Sequence, residues 1–224
     1  MIKKDLEKLD KNKSKALIKA LNPVLPGADY DEKATRVTGH EYSFYPGFVT
    51  IELTEHITHP PRRLGMLADA DIIENPQNYT DPDKAKSAFD GRVFIFDGTN
   101  EPIYKANSAV PLSLDSNCVR EYIRFFFSRV RGRHGRFVIV ETVDEIDWRE
   151  DPPPAARRAV AKMIAPLALI GSDEDNNFYL RACLLFKDSL FKARISVDPQ
   201  GQVDITEEEI IIEEMPVFDD TLTG

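Results

Sequence analysis

The chain has 224 residues, 42% of them hydrophobic and 30% charged, with a formal net charge of -9. That length can bury a core as one large domain or two small ones. The acidic balance argues against nonspecific nucleic-acid binding, and no run approaches the ~20 apolar residues of a membrane-spanning helix.

The opening stretch "MIKKDLEKLDKNKSKALIKAL" has neither the apolar core nor the small-residue cleavage site of a secretory signal, so the expected address is the cytoplasm. Ile2, Leu6, Leu9, Ala16, Leu17, Ala20 and Leu21 form a narrow apolar stripe, interrupted at Lys13, which predicts a helix over 2–21 stopped by Asn22-Pro23. Residues 1–20 carry seven lysines and three acids, a local charge of +4. Such a helix docks on its own core, on a partner or on an acidic surface.

"VTGHEYSFYPGFVTIELTEHIT" reads as a hairpin around Tyr45-Pro46-Gly47-Phe48, with the Pro-Gly pair of a type II turn. Residues 60–91 are rich in turn dipeptides and read as irregular chain. This stretch is the candidate boundary between an N-terminal region (1–85: helix, hairpin and loops) and an α+β core (86–224), with one continuous domain as the alternative. "RVFIF" (92–96) is a buried strand and "IYKA" (103–106) its return strand.

Residues 119, 122, 123, 126, 127 and 130 follow the helical apolar series without a miss, with Asp115 or Ser116 as cap. "FVIV" (137–140) is a strand, and Pro152–Pro154 lead into a helix over about 155–165. "FYLRACLLFK", "SLFKARISVD" and "QVDITEEEIIIEEM" then predict three strands, the third losing its alternation at 207–212, where a bulge is expected. The sum is an α+β fold: a curved, mostly antiparallel sheet with a C-terminal three-strand meander and helices packed on one face.

Two cysteines, Cys118 and Cys183, stand in apolar segments and read as reduced core residues rather than a disulfide or zinc framework. The glycine-rich phosphate loops, the nucleophile elbow and the paired-histidine zinc motif are missing. Asp173, Asp175 and Asn177 begin like a calcium loop, but Phe178 and Leu184 stand where glycine and glutamate are required.

Two constellations remain. A two-residue hairpin loop would set Glu41 opposite Glu52, a like-charge pair that a cation would relieve with His56 completing a metal site. A longer loop would separate the acids and leave a solvated polar face. Residues 116–136 carry six arginines and one glutamate. Arg129, Arg131, Arg133, His134 and Arg136 crowd the end of the helix that contains Phe125–Phe127. They suit the negative end of the helix dipole, with Gly132 as the left-handed stop residue, or an anion site, since guanidinium forks match phosphate. Residues 198–224, with nine acids and no Lys or Arg, are the natural counter-charge.

Segregated charge without a catalytic signature points to a non-catalytic binding or regulatory protein that needs no cofactor and acts through a protein partner or self-association. A small anionic-ligand binder or enzyme, with a pocket between helices and sheet, is the second reading. A metal-dependent hydrolase at Glu41, Glu52 and His56 is the third.

Overall fold

The computed structural model describes residues 5–6, 9–132 and 135–218. The chain divides into two compact units, Met1–Asp97 with Glu101–Ser113, and Gly98–Asn100 with Leu114–Gly224. Each contains an antiparallel sheet with helices, so the α+β class holds, with the strands shared between two sheets rather than curving through one.

In the first unit, β1 (Asp5–Leu6), β2 (Thr35–Glu41), β3 (Phe48–Glu55), β4 (Arg62–Asp69) and β5 (Val93–Ile95) lie side by side in chain order. Helix α1 (Lys11–Leu21) covers one face. Its Leu17, Ile18, Ala20 and Leu21 are buried in the cluster that holds Val37 of β2, Val49, Ile51 and Leu53 of β3, and Met66 and Ala68 of β4. Burial of each large aliphatic side chain here contributes about 1.5–3 kcal/mol. The helix starts after Asp10, not at residue 2, and Asp5–Leu6 pair with His40 and Gly39 instead. Leu6 of the apolar stripe thus belongs to an edge strand, and the helix begins after it.

The stretch read as irregular contains β4, α2 (Ala70–Glu74) and α3 (Pro82–Phe89). Strand β4 is hidden in sequence because it lies between β3 and β5 and is buried on both faces: Met66, Leu67 and Ala68 are consecutive and all inaccessible. A strand covered on both sides has no reason to alternate. "IYKA" is helical, within α4 (Glu101–Ala109), where Pro102 lies in the first turn and Ile103 and Ala106 are buried three apart. Four residues were too short a window to separate the two periods.

In the second unit, α5 (Val119–Arg129), β6 (Phe137–Ile139), α6 (Pro154–Met163) and β7 (Ala168–Ser172) precede the meander of β8 (Phe178–Phe186), β9 (Ser189–Val197) and β10 (Val203–Ile212). The sheet order is β10-β9-β8-β6, with β7 also on β8. The expected bulge is present: the β10 register against β9 shifts between Ile205 and Glu207 and again between Ile210 and Ile212. Val160, Ile164 and Trp148 cover a small core of Cys183, Leu185, Leu190 and Val217. The N-cap of α5 is Cys118, with no side-chain cap bond, rather than Asp115 or Ser116; Asp115 closes the turn before the helix, accepting from the N–H groups of Asn117 and Cys118 at 2.8 and 2.9 Å. These bonds hold the Asp115 carboxyl below its usual range. The Tyr122 hydroxyl ties the helix to the β9–β10 turn by donating to Gly201 O at 2.5 Å. No helix among the described residues is long and apolar enough to cross a membrane.

Candidate functional site

In the basic run after α5, the Arg136 side chain and the Arg131 backbone N–H contact neighbouring structure. Helix α5 ends at Arg129, with Val130 extended and its N–H donating to Phe126 O. Gly132 is therefore not the left-handed stop residue; the positive backbone angle is at Gly135, φ 140°. Gly132 and Gly135 exchange backbone hydrogen bonds of 2.8 and 3.3 Å and close a chain reversal. A side chain at Gly132 would bring a Cβ to 3.3 Å from Gly135 O.

Arg136 reaches back, its Nε donating to Phe127 O at 3.4 Å, so it serves one of the carbonyls that the helix end leaves open. The N–H of exposed Arg131 donates to Gly98 O, and Arg129 is half-buried. Arg133 and His134 lie outside the described residues. Phe125, which is off the apolar stripe, is nonetheless only 2% exposed, so all three phenylalanines are core.

Arg124, on the outer face of α5, makes the strongest of these contacts. Its Nε and a terminal nitrogen lie 2.6 and 2.9 Å from the two carboxylate oxygens of Glu141, in fork geometry. Glu141 also accepts the Leu167 N–H at 3.1 Å. The guanidinium holds the Glu141 carboxyl below its ordinary range.

The hairpin register is three residues away from the one that would pair the acids. Glu41 lies opposite Val49 and Glu52 opposite Thr38. The Pro-Gly turn forms, with Gly47 at φ 80° and Phe48 N–H donating to Tyr45 O, but a second turn at Tyr42–Tyr45 precedes it. The connection is longer than two residues, and the odd shift turns the strand over. Glu41 and Glu52 therefore face opposite sides, and His56 lies beyond the end of β3. Among the described residues no three His, Cys, Asp or Glu side chains are grouped to hold a metal.

The acidic C-terminal segment finds its counter-charge within the meander. Arg194 of β9 lies 3.2 Å from Glu207 of β10 and over the Tyr179 ring, and Lys192 is the backbone partner of Glu209. Strand β10 is a sheet edge of ten residues, with Glu207, Glu208, Glu209 and Ile210 all exposed, Ile210 to 53%. The other sheet-edge strands are shorter: β1 has two residues, β5 and β6 three each, and β7 five.

Other charged clusters serve the scaffold. Arg62, in the stretch read as irregular, begins β4; it lies 3.5 Å from the Tyr30 ring centre and pairs with the buried Glu55. Arg92 pairs with Asp69 at 3.0 Å, and Asp71 accepts from Tyr79 and Asn75. Asp173 closes a polar turn, accepting from Asp175, Asn177 and Tyr179. Comparison with known protein families, curated proteins and solved structures found no match.

Proposed function

We propose that this is a non-catalytic, cytoplasmic binding protein that takes up a basic, extended segment of a protein partner along β10. The observation that supports this reading is the ten-residue outer edge of the second sheet, with its exposed acids and Ile210. An edge strand offers a row of unpaired N–H and C=O groups to any chain that lies beside it. Three successive glutamates repel a second copy of the same edge. They attract lysine and arginine, and Ile210 offers an apolar contact between them. Arg194 neutralises Glu207 in part and Lys192 stands opposite Glu209, which leaves Glu208 as the principal charge.

The test is titration of the full chain with an alternating Val-Lys decapeptide. The expected result is saturable binding that weakens with salt, as screening requires, and is lost in Glu208→Lys/Glu209→Lys. Equal binding by that variant overturns the reading. Self-association is the other outcome: light scattering then gives a mass above 25.4 kDa that the same variant reduces.

A further inference from the structure

The lysine-rich helix has a second property that its sequence does not display. Between the start of α1 and the start of β2 lies a cavity of about 330 Å³, lined by Leu9, Lys11, Ser14, Lys15, Glu32, Lys33, Thr35, Arg36 and Val37. Lys11 and Lys15 are one turn apart on α1 and share a face. Lys33 and Arg36 flank the first residue of β2. Four cations against Glu32 give the lining a charge of +3 in a chain whose total is -9. Among the described residues none of the four is in an ion pair.

The nearby acids are engaged elsewhere. Asp31 accepts the N–H groups of Lys33 and Ala34, and Glu55 accepts the Asp31 N–H and pairs with Arg62.

A second observation is independent of charge. Thr35 is 8% exposed, and its hydroxyl has no hydrogen-bond partner among the described residues. It sits on the face of β2 that also carries buried Val37, the face that α1 covers. A buried hydroxyl without a partner is destabilising, and a ligand oxygen in the cavity would satisfy it.

We propose that this cavity binds a small organic phosphate. Lys11, Lys15, Lys33 and Arg36 neutralise the phosphoryl oxygens, the Thr35 hydroxyl donates to one of them, and Leu9 and Val37 contact the apolar part of the molecule. The volume is at the lower end of small-molecule sites, which suits a compact ligand. The acidic chain as a whole repels a polymeric phosphate backbone.

The probe is sodium pyrophosphate, followed by calorimetry and thermal unfolding against sodium chloride at equal ionic strength. Wild type is expected to bind with saturation and to gain thermal stability beyond the chloride control. Lys15→Ala/Arg36→Ala, at a half-buried lysine and an exposed arginine, is expected to weaken binding by about a hundredfold, and Thr35→Val by about tenfold while the ligand-free protein melts no lower. Stabilisation no greater than with chloride overturns the proposal. So does wild-type affinity in the double variant, or in Thr35→Val.

Discussion

The two sheets finish their edges differently. The first is bounded by strands of two and three residues, and α1 covers one of its faces. The second ends on β10, ten residues long with acids facing outward. Short edge strands are a common way to prevent unwanted pairing, whereas β10 carries charge and two register shifts.

The charges follow the same division with the sign reversed. In the second unit arginine is directed to the protein's own groups: Arg124 to Glu141, Arg136 to Phe127 O, Arg194 to Glu207. In the first unit the buried Glu55 is satisfied, while lysines around the α1–β2 cavity have no ion pair among the described residues. A charge run in sequence therefore says little until its partners are known. Arg124, Arg136 and Arg194 contact the protein's own groups, and the cavity lysines have no ion pair among the described residues.

The contrast can be broken in graded steps. The largest effect belongs to the apolar face of α5. Phe126→Ala is expected to lose about 3–5 kcal/mol in denaturant unfolding, and a loss below 1 kcal/mol would mean the run is not core. Next is Glu141→Gln. Arg124 is 46% exposed and Glu141 21%, so solvent screening limits their pair to about 1 kcal/mol. Because the folded Glu141 carboxyl titrates below its unfolded value, its contribution is present above about pH 4.3 and is lost as pH falls through the folded value. The stability gap between wild type and Glu141→Gln should therefore be open at pH 7 and close below about pH 4. A gap that persists into acid would assign the effect to something other than the ion pair.

Smaller still is Arg136→Ala, about 0.5 kcal/mol from one contact at the helix terminus. Arg131→Ala, on an exposed side chain, should stay within about 0.5 kcal/mol. If Arg131 cost more than Arg136, the division of roles at the end of α5 would be reversed.

Much of the second unit was legible in the sequence. Strand β9 and α5 are written in periodicity, β8, buried over 182–185, shows as an apolar run between turns, and the bulge of β10 shows as a loss of alternation. The first unit was harder to read. Strand β4 is buried on both faces and carries no alternation, α4 was sampled over too few residues, and the amino-terminal stripe joined an edge strand to a helix.

Register was the other limit. Whether Glu41 faces Glu52 depends on a loop length that Tyr42–Gly47 conceals, since two turns follow one another there. The fate of the arginines depends on Glu141 and Phe127 O, one distant in sequence and the other a backbone atom, so composition could not separate structural from available charge. The α1–β2 cavity carries no sequence signal beyond the lysines: Thr35 is one threonine among several until its burial is seen.

The account rests most heavily on β10 as a receiving edge. Amide hydrogen exchange of the full chain, with and without the Val-Lys decapeptide, reads that edge residue by residue. The expected result is slowed exchange concentrated in Val203–Ile212 of wild type and absent from Glu208→Lys/Glu209→Lys. Protection that leaves β10 unchanged and appears elsewhere in the sheet would contradict it.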